Sequence, residues 1–92
     1  MQLTVEFYCG LARRLSGQSS AVIEVSDHAT LRDVCGALAE KIPAFLGPLV
    51  APQAYDLVEP HFFSLNGRRA TSLDETVQEG DRILLMVITA GG

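Results

Sequence analysis

The sequence predicts an α+β fold, a mixed sheet of four to five strands with one main helix packed on one face, and three observations predict it. The chain opens and closes on apolar, strand-like segments, one long internal stretch carries a helical period, and an Asn-Gly bend marks a hairpin in the second half. Ninety-two residues suit one hydrophobic core, so a single domain over residues 1–92 is expected.

Each element follows in order. Leu3, Val5 and Phe7 alternate with Gln2, Thr4, Glu6 and Tyr8, the pattern of a strand with one buried face. "LARRLSGQSS" breaks that alternation and reads as a loop, after which "AVIEV" resumes it. Leu31, Val34, Cys35, Leu38, Ala39 and Ile42 then repeat at helical spacing, with Thr30 placed to cap the helix, Asp33 in its first turn, and Pro43 at its exit. Residues 43–60 hold all four prolines and no clean period, so an ordered connection with one short helical turn is expected. "HFFSLNGRRA" is a hairpin bent at Asn66 and Gly67, and Ser72 with Glu75 fits a capping box for one short turn. Gly80 and Asp81 lead into "RILLMVI", whose unbroken apolar run marks a central strand. The first and last strands are the most apolar and should lie side by side at the centre of the sheet, under the helix. That is the β-grasp arrangement.

With only one helix, one sheet face is left uncovered. Alternation along the last strand puts Leu84, Met86 and Ile88 on that face and Ile83, Leu85 and Val87 on the buried one, with Phe62 sharing the open side. A Met and Phe cluster there reads as a partner-binding patch, with burial under residues 43–60 as the competing explanation.

Composition excludes several function classes. Seven Lys and Arg stand against eleven Asp and Glu, for a net charge of −4, which argues against phosphate-backbone binding and for protein partners rather than nucleic acid. No signal-peptide pattern opens the chain and the run "ILLMVI" is too short to span a bilayer, so a cytoplasmic protein that does not engage membranes is expected. Cys9 and Cys35 lack ligand spacing and have no His nearby in sequence. Cys35 falls on the helix stripe as core packing, while Cys9 is expected to be partly exposed. His28 and His61 stand apart from any carboxylate or thiol at ligand spacing, so no metal site is expected. The pairs Arg13, Arg14 and Arg68, Arg69 read as solvated loop charges, with contact to acidic grooves on a partner enzyme as the alternative.

The chain closes on "VITAGG", an apolar segment running directly into Gly91 and Gly92, and a flexible tail over residues 89–92 is expected. "GDRILLMVITAGG" resembles the C-terminus of the ubiquitin-like sulfur-carrier family that includes MoaD, the small subunit of molybdopterin synthase, and ThiS of thiamin synthesis. "GLARRLSG", the helix from Thr30 and "LNGRR" extend the resemblance over nearly the whole chain, except residues 43–60. Val87 and Ile88 stand where MoaD proteins usually carry a Pro-Pro pair, a ThiS-like feature, whereas the overall length and first loop look more like MoaD.

The resemblance implies a protein co-substrate rather than an enzyme. Gly92 would be the residue whose carboxylate is adenylated and then converted to a thiocarboxylate, and Gly91 would let the tail thread a partner's channel. It implies no cofactor bound by the carrier itself, with ATP used by an adenylating, ubiquitin-activating-like enzyme. Its other partners would be a sulfur donor and the large subunit of molybdopterin synthase or an equivalent acceptor. Molybdopterin synthesis is the first pathway it suggests. The alternatives are a thiamin-type or other sulfur carrier, a ubiquitin-like modifier joined to lysines, and a non-catalytic β-grasp interaction module.

Overall fold

Eight elements appear in the computed structural model, which describes residues 1–88. They are β1 (Gln2–Tyr8), α1 (Gly10–Ser16), β2 (Ser20–Glu24), α2 (Leu31–Lys41), a 3₁₀ turn (Pro43–Phe45), β3 (His61–Leu65), β4 (Arg68–Arg69) and β5 (Ile83–Val87). The five strands form one sheet in the order β2-β1-β5-β3-β4. β1 and β5 are parallel and adjacent, and every other neighbouring pair is antiparallel. The expected β-grasp arrangement is therefore present, with the last strand at the centre.

The covered face is a closed core. Leu3, Val5 and Phe7 of β1, Ile23 of β2, Phe63 and Leu65 of β3 and Ile83 and Leu85 of β5 meet Leu31, Val34, Cys35 and Leu38 of α2, all buried. α2 begins at a capping box: the Thr30 hydroxyl accepts from the Asp33 amide, and the Asp33 carboxylate accepts from the Thr30 amide at 2.9 Å. Two orphan amides of the first turn are thereby satisfied. The hairpin between β3 and β4 turns at Asn66 (φ 53°) and Gly67 (φ 88°), the pair of positive dihedrals that a tight hairpin needs.

Three local expectations are corrected. "GLARRLS" is a helix, α1, because its ends and contacts are supplied from outside it. Gly17 closes it in the left-handed conformation, Ala12 is buried beneath it, and the Arg13 guanidinium donates to the Phe7 carbonyl at 2.8 Å. Arg13 and Arg14 accordingly sit on a helix rather than in a loop. Cys9, at the junction of β1 and α1, is buried rather than partly exposed, since α1 folds back over it. Ser72 and Glu75 do not form the capping box, because Glu75 is claimed elsewhere: its carboxylate accepts from Arg68 at 2.5 Å and from the Thr71 amide at 2.7 Å.

Residues 43–60 enter the core instead of covering the open face. Phe45, Leu49 and Val50 are fully buried, and the Phe45 ring packs edge-on against Phe7 at 5.5 Å between centroids. Phe7 points to the α2 side of the sheet, so the segment extends that side of the molecule.

Candidate functional site

The open sheet face is assembled by strand register. Met86 of β5 lies between Tyr8 of parallel β1 and Phe62 of antiparallel β3, so the three side chains form a row across the centre of the sheet. One step back, Leu84 lies between Glu6 and Ser64. Leu84, Met86 and Phe62 are half-buried, flanked by each other rather than by a second layer, while Tyr8 and Ile88 are 48% and 49% exposed. Three of the four expected patch residues, Phe62, Leu84 and Met86, thus share one face by register, and Ile88 follows β5 as an exposed residue; Val87 is only partly buried, against the edge of the core.

Cations border this apolar row. The Arg69 guanidinium sits 4.4 Å from the centre of the Phe62 ring, and that of Arg13 lies 5.9 Å from the Tyr8 ring. Arg82 bonds to the Glu6 carboxylate at 2.9 Å, and the Tyr8 hydroxyl donates to the same group at 3.4 Å. The hydrogen bond from Arg82 holds the Glu6 carboxyl below its usual range. An acidic chain therefore presents an apolar strip edged by three arginines on this face. Tyr8, Glu6 and Arg82 were not singled out in the sequence, although alternation along β1 and β5 was the available signal, and Arg69 is a contact to Phe62 rather than a solvated loop charge.

The strip leads toward the carboxyl terminus. The amide of Ile88, one residue past β5, donates to the carbonyl of Pro60, one residue before β3, at 3.2 Å. Gly91 and Gly92, like the expected flexible tail over 89–92, lie outside the described residues.

The thiols are poorly suited to nucleophilic chemistry. Burial pushes Cys35 up to about 12 and raises Cys9 as well, so both are protonated and desolvated at neutral pH. His28 is exposed, and the His61 ring nitrogen Nδ1 lies 3.0 Å from the Val58 carbonyl. Among the described residues, no group of three or more His, Cys, Asp or Glu is placed to hold a metal ion, and no helix is long and apolar enough to cross a membrane.

The ThiS family model matches residues 7–92. No curated protein sequence matches the chain. The fold is similar to SAMP1 from Haloferax volcanii, with a TM-score of 0.83 and 23% identity over 100% of both chains. It is also similar to the putative molybdopterin converting factor, subunit 1, from Pyrococcus furiosus, with a TM-score of 0.76 and 22% identity over 97% of this chain and 99% of that one. The BexX/CysO complex of Amycolatopsis orientalis contains a further similar chain, with a TM-score of 0.74 and 19% identity over 97% of this chain and 98% of that one. At these identities the likeness is one of fold.

Proposed function

Because the chain belongs to the ThiS family of ubiquitin-like sulfur carriers and modifiers, we propose that it carries sulfur as a thiocarboxylate on Gly92. The observation that supports this reading is that the family match runs through the last residue and so includes the Gly91–Gly92 pair. An α-carboxylate is ionised at neutral pH, and its oxygen attacks the α-phosphorus of ATP held by an adenylating enzyme. Pyrophosphate leaves, and the product is an acyl-adenylate. Hydrosulfide delivered by a sulfur donor then attacks the acyl carbon, AMP departs with the bonding pair, a proton is released, and Gly92 is left as the thiocarboxylate. Gly91 lacks a Cβ and so lets the extended tail enter a narrow partner channel.

In this scheme the chain is a co-substrate acting in the cytoplasm, and the open face is where its partner enzymes dock. Phe62, Leu84, Met86 and Ile88 supply the apolar contact, and Tyr8, Arg69 and Arg82 supply the border. That one of the similar folds was solved in a complex supports partner docking in general. Molybdopterin synthesis is the pathway we assign first, with the large subunit of molybdopterin synthase as acceptor, and a thiamin-type route second. The likeness to SAMP1 supports one further reading, an isopeptide bond from Gly92 to lysines of other proteins.

Intact-mass measurement of the protein from its native cell tests the carrier role. Replacement of one oxygen by sulfur, located by fragmentation at Gly92, is the expected result. Deletion of Gly92 should abolish ATP-dependent acyl-adenylate formation without lowering the melting temperature. A reacting carbon displaced by one extended residue moves by about 3.3 to 3.6 Å, and misplacement on the order of 1 Å already costs about a hundredfold. Adenylation of the truncated chain at the native rate would refute the proposal. Native material conjugated to lysines and never thiolated would favour the modifier reading instead.

A further inference from the structure

Among the described residues, the sheet has one short edge and one long one. β4 closes one side with two residues, Arg68–Arg69, whereas β2 forms the other with five, Ser20–Glu24. The β1–β2 ladder reveals which backbone groups of β2 are in use. The Met1 amino group donates to the Val25 carbonyl, the Val25 amide donates to the Met1 carbonyl, and the Phe7 amide donates to the Ser19 carbonyl. In an antiparallel pair, bonded residues alternate, so Leu3 with Ile23 and Val5 with Ala21 are the bonded pairs between these ends. The amides and carbonyls of Ser20, Val22 and Glu24 therefore point away from the sheet. The Val22 carbonyl is met by the ammonium of Lys41, reaching across from the end of α2.

Beside this edge runs a groove of about 400 Å³ between β2 and α2, lined by Ile23, Ala37, Glu40 and Lys41 among others. It continues into a second groove through the shared residues Glu24, Ala37 and Glu40, and ends at Tyr55, which is 42% exposed. The charges along this trough are unbalanced. Arg32 is already paired with Asp56 and Asp74, and Lys41, which donates to the neutral Val22 carbonyl, is the one cation left to face the trough's carboxylates among the described residues. Glu24, Glu40 and Asp33 are exposed carboxylates.

We propose that the β2 edge and this trough bind an extended segment of a partner protein carrying basic residues, which adds to the sheet as a sixth strand. Backbone bonds to Ser20, Val22 and Glu24 fix the added strand. Its alternate side chains lie over Val22 on one side and enter the Ala37 groove on the other, and its arginines or lysines meet Glu24, Glu40 and the Tyr55 ring. Lys41 must leave the Val22 carbonyl for the strand to enter, so it acts as a latch that keeps the free edge from pairing indiscriminately. The site lies at the opposite end of the sheet from β3 and β4 and does not use the tail, so a carrier docked through its open face keeps this edge available.

The test is an amide-resolved NMR titration of the full chain with a short peptide of alternating valine and threonine, capped at both ends by arginine pairs. A peptide of the same core capped by glutamates serves as the comparison. Binding should saturate below about 1 mM, shift Ser20, Val22, Glu24 and the Ala37–Lys41 stretch, and slow hydrogen exchange at the Val22 and Glu24 amides. The glutamate-capped peptide should bind at least about tenfold more weakly. Val22→Pro removes an outward amide that β1 does not use and should abolish binding while the Ile23 amide stays protected. If that variant fails to fold, the pair Glu24→Lys with Glu40→Lys still decides, since it should reverse the preference between the two peptides. Shifts centred on Tyr8, Phe62 and Met86, no saturation by about 1 mM, or pairing of two copies of the chain in place of peptide binding would overturn the proposal.

Discussion

β5 has two faces built from alternate residues of one strand, and they have different surroundings. Ile83 and Leu85 are sealed under α2, at 0% and 1% exposure, whereas Leu84 and Met86 on the other side are only half-covered, by neighbours within the sheet. Both faces are apolar, so hydrophobicity alone does not distinguish core from surface. The distinction comes from the second layer: α2 and residues 43–60 both pack on one side, and the other side is bordered by Arg13, Arg69 and Arg82. An apolar strip left open beside oriented cations fits the docking surface proposed above, while the sealed face holds the fold together.

The most forceful way to break this contrast is to cut into each face in turn. Leu85→Ala should destabilise the protein by about 2 to 5 kcal/mol, because the removed methyl groups leave a cavity among side chains fixed by both α2 and the sheet. Chemical denaturation of the variant measures this directly. Met86→Asp, one residue along, should change stability by only about 1 kcal/mol yet weaken binding to an adenylating or acceptor enzyme at least about tenfold, since the new carboxylate would be buried unpaired in the complex. Calorimetric binding beside thermal melts separates the two. Equal loss of stability in both variants would mean that the faces do not differ as described.

The contrast between the faces was visible in the sequence because it rests on a period of two, which strand residues cannot avoid. Leu3, Val5, Phe7, Ile83 and Leu85 were all legible as core, as were the paired positive dihedrals at Asn66–Gly67 and the Thr30 cap. α1 was not legible, because seven residues span barely two turns and Cys9 at its N-cap makes no side-chain bond; burial of Ala12 and the bond from Arg13 to the Phe7 carbonyl hold it. The path of residues 43–60 was hidden for a related reason: their core residues, Phe45, Leu49 and Val50, follow no period and find partners far away in sequence. Glu75 shows the limit of motif reading. The Ser72 and Glu75 spacing fits a box, but Arg68, delivered by the hairpin, bonds the carboxylate instead.

A smaller effect tests the helix that makes the difference between the faces. Gly36 lies in the middle of α2, and a Cβ placed there meets nothing within 4 Å. Glycine in a helix interior costs about 0.5 to 1 kcal/mol relative to alanine, so Gly36→Ala should stabilise the protein by that amount. For a domain of this size, this corresponds to a rise of roughly 2 to 8 °C in Tm. A lower melting temperature would show that the outer surface of α2 is more crowded than its geometry indicates.

The smallest expected effect concerns Glu6, a carboxylate in the middle of the open face. Arg82 holds the Glu6 carboxyl below its usual range, so folding favours the ionised form, and the associated stability is present above the unfolded value of about 4.3 and lost as pH falls through the folded one. Glu75 supplies the comparison, because Arg68 and the Thr71 amide pull it further, to about 2, and its contribution is lost over a wider interval between about 4.3 and about 2. Thermal melts from neutral pH down to the acid limit should therefore show a slope that Glu75→Gln flattens visibly and Glu6→Gln flattens only slightly. The difference has a structural cause: Glu75 closes a turn through a backbone amide as well as an ion pair, whereas Glu6 pairs with an exposed Arg82 on a surface that water still reaches. If Glu6→Gln instead removed most of the acid sensitivity, the Glu6–Arg82 pair would be a structural clamp between β1 and β5, and the open face would share the stabilising role of the sealed one.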